Sequence, residues 1–140
     1  MNLTLVQAHN SFGLDYIKKH ILATPTRTKE DYYWHFKGIF ETRPDEIFLI
    51  LTLDEADIMH GFLIAAQHIE QPYVWLYQMY ADKIQTLQMK QLAMDRMEIW
   101  TEEVLGLKEI RGEMLGKEHP GFSLYGYERY STVYNKILGD

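Results

Sequence analysis

The residues with chemistry to offer concentrate between His60 and Lys90. Tyr73-Val74-Trp75-Leu76-Tyr77-Gln78-Met79-Tyr80 reads as a strand, and Ala81-Asp82 leads from it into a long helical pattern. A helix opening at the end of a buried strand presents unpaired amides and a positive dipole end, which suits a phosphate. No glycine lies between Gly61 and Gly106, so no Cβ-free loop surrounds that helix start. His60 and His68 stand eight positions apart on one expected strand and share a face. His68 or Glu70, at the strand end, could act as a general base; a solvent-facing turn is the commoner use of such positions. The six histidines form no HxxxH or HxH pair, so the spacing points to no metal. With no cysteine, thiolate and disulfide chemistry are excluded.

The remaining candidates have plainer readings. Glu102-Glu103 and Asp54-Glu55 suit solvated charge better than a catalytic dyad. Strict alternation would put Tyr73, Trp75 and Tyr77 on one strand face, turned to a cleft or a helix. Val74, Leu76, Gln78 and Tyr80 would take the other.

Elements must hold these residues in place. The 140 residues, 46% apolar and 24% charged, suit one domain spanning 1–140 with a real core. Fourteen basic against twenty acidic residues give a net charge of −6, which argues against a nucleic-acid partner. The start lacks a basic, apolar leader, and the longest apolar run, Ile47 to Leu51, is too short to span a membrane. A cytoplasmic location with no membrane partner is expected. Asn2 to Gln7 reads as a strand, and Asn10 or Ser11 can cap a helix carrying Leu14, Ile17 and Ile21. Thr28 to Asp31 opens a second helix whose face is Tyr32, Phe36, Ile39 and Phe40. Ile47 to Leu51, Ile58 to Gln67 and Tyr73 to Tyr80 form an antiparallel meander. Lys83 to about Val104 is helical, with Met89, Ala93, Met97, Trp100 and Val104 on one side and Gly106 as its stop. Leu107 to Met114 and a segment around Tyr130 to Ile137 complete the strands.

In this order the chain resembles the GNAT superfamily of acyl-CoA-dependent N-acyltransferases. His60-Gly61-Phe62-Leu63-Ile64 is similar to the start of the family's third strand, and Trp75 to Asp82 to its fourth. Tyr125-Gly126-Tyr127-Glu128 is similar to its Gly-Phe turn, and Val133 to Leu138 to its closing strand. The resemblance implies an α+β fold, an α/β/α sandwich around a mixed, mostly antiparallel sheet of six or seven strands. A long helix would follow the fourth strand.

It also implies direct acetyl transfer from acetyl-CoA to an amine on a small molecule or a protein, without metal. Amides near Tyr77, Met79 and Ala81 would hold the pantetheine, and the helix start the pyrophosphate. The family pattern there, Gln/Arg-x-x-Gly-x-Gly/Ala, aligns with Gln85-Thr86-Leu87-Gln88-Met89-Lys90. Gln85 matches; Gln88 and Lys90 replace the small residues, and Lys83 or Lys90 could meet the phosphate as a point charge. The Tyr that many members use as proton donor to the thiolate falls at Phe122, with Tyr125 close by. The other reading is a GNAT-fold module without catalysis, of the kind carried by phage, binding a protein partner or a second copy of itself.

Overall fold

All seven residues from Ile47 to Leu53 are buried, and this run is the second strand of the sheet that organises the chain. The computed structural model describes residues 1–113, 128–130 and 133–139. Among these, seven strands lie in the order β1-β2-β3-β4-β5-β7-β6. They are β1 (Thr4–Ala8), β2 (Ile47–Leu53), β3 (Met59–Gln67), β4 (Val74–Ala81), β5 (Glu109–Glu113), β6 (Glu128–Tyr130) and β7 (Val133–Ile137). Every neighbouring pair is antiparallel except β4 and β5. The helices are α1 (Leu14–Ile17), extended at both ends by 3₁₀ turns, α2 (Lys29–Thr42) and α3 (Leu87–Glu103). The expected mixed, mostly antiparallel α/β/α sandwich is therefore the fold.

Two cores follow from two-sided burial. Phe48, Ile50, Leu63, Val74 and Leu76 face α3, where Met94, Met97 and Trp100 meet them. Leu49, Leu51, Phe62 and Ile64 face α1 and α2, where Leu14, Ile17, Phe36 and Phe40 meet them. A central strand with apolar residues at every position is what such double cover requires.

Local signals set the helix ends. Thr28 and Asp31 form the expected capping box, with Asp31 N–H on Thr28 Oγ1 at 3.1 Å and Thr28 N–H on Asp31 Oδ2 at 3.1 Å. Gly106 ends α3 at φ 67°, with its N–H on Glu102 O and Leu107 N–H on Thr101 O. That bond pair is the left-handed C-terminal closure glycine favours. Helix α3 starts at Leu87, not at Lys83 as its pattern suggests. Asp82 Oδ1 accepts from Ile84 N–H (2.9 Å) and Gln85 N–H (3.2 Å), which holds those residues in a turn, and Thr86 caps the helix instead. Because α3 closes at Glu103, Val104 is exposed rather than part of the buried face.

Candidate functional site

Strand β4 breaks step at Tyr77. Ile64 pairs with Gln78 and Ala65 with Leu76, which leaves Tyr77 as the extra residue of a bulge. The phase of the strand changes there. Tyr77 packs toward α2, while Gln78 reaches the end of α1, its amide nitrogen on His20 O (2.6 Å) and its oxygen accepting from Leu22 N–H (3.1 Å). Met79 then faces α3, and Tyr80 faces α1 with its ring stacked on His20 at 4.2 Å. The strict alternation expected for this strand therefore fails at Gln78 and Tyr80, which join the aromatic face.

The same strand parts from its neighbour. Parallel pairing with β5 covers only Val74, Trp75 and Leu76. Among the described residues, no strand takes up Tyr77 to Ala81 on that side. Asp82 N–H donates to His60 O on β3 at 2.9 Å, and strand amides alternate, so the N–H groups of Met79 and Ala81 point into the gap.

On the α2 side of the gap stands an imidazole the sequence reading did not single out. His35 Nε2 lies 2.9 Å from Tyr77 Oη, with Phe36 and Tyr32 packed against the Tyr77 ring at 5.1 and 6.1 Å. Tyr32 Oη donates to Thr24 Oγ1 at 3.1 Å, which ties the group to the loop before α2. Burial lowers the His35 pKa below its ordinary 6.5, and the guanidinium groups of Arg27 and Arg43, then His68, lower it further. Burial also raises that of Tyr77. At neutral pH the pair is an uncharged imidazole and an uncharged phenol. The spacing of α2 carries no trace of it, because His35 sits beside Phe36 on a face that reads as core.

At the turn that leads into α3, a charged clamp holds Asp82, which bonds the amides of Ile84 and Gln85. His60 is 6% exposed, with Nδ1 2.7 Å from Asp82 Oδ2 and Nε2 2.8 Å from Asp54 Oδ2. A neutral imidazole has one N–H to give, so two carboxylates on its two nitrogens select the protonated ring. The hydrogen bond to Asp54, then that to Asp82, raises the His60 pKa. The bond from His60 lowers that of Asp54. For Asp82, burial pushes upward, but bonds from His60, Ile84 and Gln85 outweigh it and the net direction is down. The ring lies between the carboxylates, so the three do not converge on a point where an ion could sit. Among the described residues no group of His, Asp or Glu is placed to hold a metal.

Beside the clamp, Gln85 is 9% exposed and its Oε1 has no hydrogen-bond partner. Its amide lies over Gly61, where any Cβ would overlap Oε1. Glycine at this β3 position is what lets the turn before α3 pack onto the sheet.

The other expected site residues scatter. His68 follows β3, exposed, with its ring against Tyr73 and Trp75. Glu70 is an exposed turn residue at φ 63°. Both lie at the far end of β4 from Ala81, about 23 Å away at ~3.3 Å per residue. Lys90 sits in the first turn of α3, half-buried. Tyr125 and Phe122 lie outside the described residues. A cavity of 380 Å³, lined by His9, Asp45, Arg96, Trp100 and Glu103 among others, lies between β2 and the C-terminal half of α3. None of the gap residues lines it.

No protein-family model matches the chain, and no curated protein sequence matches it. Solved structures do. A protein from Desulfovibrio desulfuricans assigned to the GNAT acetyltransferases superposes with a TM-score of 0.75 at 9% identity, over 99% of this chain and 100% of that one. The ribosomal-protein-S5-alanine acetyltransferase of Vibrio fischeri gives 0.70 at 11%, over 100% and 95%. The PaiA N-acetyltransferase of Thermoplasma acidophilum, solved with coenzyme A, gives 0.67 at 11%, over 98% and 99%. At such identities the shared property is the fold, and this chain has the GNAT fold.

Proposed function

We propose that the chain is an N-acetyltransferase that passes the acetyl group of acetyl-CoA to an amine. The observation that carries this reading is the gap at the β4 bulge. Strand-edge amides face it, and the His35–Tyr77 pair lies on the α2 face of the sheet at the same place. Donor and acceptor can approach from different sides and meet there, which is the positioning that makes direct transfer fast.

The residues present fit the donor. The N–H groups of Met79 and Ala81 stand where a pantetheine amide could pair with a strand edge, and Tyr77 opens that edge. At the start of α3, Thr86 takes the Met89 N–H at 3.2 Å and leaves those of Leu87 and Gln88 for a diphosphate. Lys90 adds a point charge within the same turn. Gln85 supports that turn from beneath rather than meeting the ligand. Bound acetyl-CoA supplies an activated carbonyl and a thiolate leaving group.

The remaining chemistry falls to the chain's own groups. The amine nitrogen bonds to the carbonyl carbon as the carbon–sulfur bond breaks, and the proton the amine loses equals the one the thiolate needs. With His35 in its Nδ1–H form, Tyr77 donates to Nε2. Tyr77 Oη can then accept a proton from the amine as it passes its own to His35. His35 holds its lone pair at neutral pH because its pKa is lowered. His68 and Glu70 have no part in this scheme.

A second reading, a GNAT-fold binding module without catalysis, has one observation in its favour. The first turn of α3 carries Gln88 and Lys90 where small residues would let a phosphate approach, and Leu87 beside them is 62% exposed. Calorimetric titration of acetyl-CoA and CoA separates the two. Micromolar binding supports the transferase, while an absence of heat at millimolar ligand overturns it in favour of the module.

A further inference from the structure

If acetyl transfer runs through the β4 gap as proposed above, the amine must dock among Tyr32, His35 and Tyr77, and the charge around them selects it. Two guanidinium groups act on this pair, since Arg27 and Arg43 both bear on His35 and on Tyr77, and His68 bears on His35 as well. Arg43 is matched by Glu46, Nη1 to Oε1 at 3.2 Å. Among the described residues no carboxylate pairs with Arg27. Its guanidinium lies over the Tyr32 ring at 5.5 Å, and that ring meets Tyr77 at 6.1 Å.

Thr24 N–H donates to Arg27 O at 2.9 Å, and Arg27 N–H reaches Thr24 Oγ1 at 3.2 Å, so a tight turn fixes the backbone from which the side chain leaves. Residues Ala23 to Glu30 line an open hollow of 430 Å³ around it. Lys29 and Glu30 line the same hollow, and Asp31 accepts from the Thr28 amide at the start of α2. The hollow therefore holds Arg27, to which no described carboxylate is paired, and the Tyr32 ring links it to the Tyr77–His35 pair.

We propose that the acceptor is an amine that also carries a carboxylate, an amino acid of small or aromatic type, with the carboxylate on Arg27 and the nitrogen toward Tyr77 and His35. A guanidinium pairs with a carboxylate through two parallel hydrogen bonds, which fixes orientation as well as charge. The same cation repels a polyamine. It also favours loss of a proton from an incoming ammonium, which the reaction requires.

The test is a matched pair of product analogues that differ by one carboxylate. N-acetyltyrosine and N-acetyltyramine are titrated by calorimetry into the full chain and into Arg27→Gln and Arg27→Lys. N-acetyltyrosine should bind at least tenfold tighter to the native chain. Arg27→Gln should erase the difference, and Arg27→Lys should restore part of it. Equal binding, binding of neither compound, or a preference that survives Arg27→Gln overturns the proposal. These titrations need no acetyl-CoA, so their failure is distinguishable from failure of the transferase reading. Where thiol release from acetyl-CoA is measurable, tyrosine should outrun tyramine and spermidine. Arg27→Gln should raise KM for tyrosine more than it lowers kcat, and a preference for spermidine is a second overturning result.

Discussion

His35 of α2 and Tyr77 of β4 meet at 2.9 Å at the single residue where β4 falls out of register with β3. The contact depends on the bulge, because the inserted residue sends Tyr77 and Gln78 to the same face in succession. Tyr77 then reaches α2 while Gln78 ties down the end of α1. The bulge thus does two jobs: it opens the strand edge toward α3, and it seats the proton acceptor on the other face.

Replacing His35 by Gln keeps a polar side chain near Tyr77 but removes a titratable base. Rates of acetyl transfer should fall by ~10²–10⁴-fold, the usual contribution of a positioned general base. The dissociation constant for CoA should stay within about twofold, since His35 lies outside the donor side of the gap. In the native chain, kcat at saturating amine should rise with pH through a value below 6.5, because the His35 pKa is lowered from that value; kcat/KM would carry the amine's own ionisation as well. A rate set by an unperturbed or raised pKa, or a His35→Gln variant of native rate, removes His35 from the mechanism.

The Asp54–His60–Asp82 clamp should have its own pH window. His60 has a raised pKa, so its contribution to stability is complete below 6.5 and fades as pH rises through the raised value. Asp54 has a lowered pKa, so its contribution is present above 3.8 and fades as pH falls through the lowered value. The turn before α3 is therefore held most firmly from about pH 4 to 6.5, and mildly alkaline solution should loosen it. Thermal unfolding midpoints across pH 5 to 9, for the native chain and for His60→Asn, test this. The native midpoint should decline on the alkaline side and the variant should lack that decline; parallel curves would remove the clamp from the account.

Gly61→Ala puts a methyl group where Gln85 Oε1 lies. The Gln85 amide can move, but Tyr80 O lies 2.9 Å from the same methyl, so the β4 backbone must also give, with a loss of ~1–3 kcal/mol, the ordinary cost of overfilling a packed site. The displaced amide can no longer brace the turn that opens α3, so CoA affinity should drop while the far-ultraviolet circular dichroism stays native. Gly61→Ala combined with Gln85→Ala should recover part of the stability. An unchanged CoA affinity in the single variant would show that Gln85 does not set the helix entrance.

The parts of this molecule that were legible in its sequence are those governed by neighbours along the chain. The Thr28–Asp31 box, the stop at Gly106 and the spacing of Ala93, Met97 and Trp100 each follow from contacts within one helix or one turn, and each is where its spacing says. The bulge at Tyr77 was not legible, because neither glycine nor proline marks it and the run alternates plausibly without it. His35 was hidden for a different reason. Its partner stands 42 positions away and reaches it only once the bulge has turned Tyr77. His60 carried a signal that could have been read: an imidazole in an apolar strand, with Asp54 and Asp82 at the ends of the adjoining strands. The late start of α3 belongs with it, since Asp82 claims the amides of Ile84 and Gln85 before the helix can.

The two sides of the gap also differ in how much chain must be ordered to build them. Asp54, His60, Asp82 and Gln85 all belong to the β2–β3–β4 meander and the turn that leaves it, so the donor side is assembled from one contiguous hairpin stack. The acceptor side needs α2 brought onto β4 from 42 residues away. The extra closure entropy is slight, since doubling a loop adds only ~0.6 kcal/mol. The difference lies in cooperativity: α1 and α2 carry Leu14, Ile17, Phe36 and Phe40 of the second core, so the α2 side of the gap is complete only when that core is closed. Under the proposed transfer, amine docking would then depend on the closure of the second core, and donor binding on the meander and the turn that leaves it.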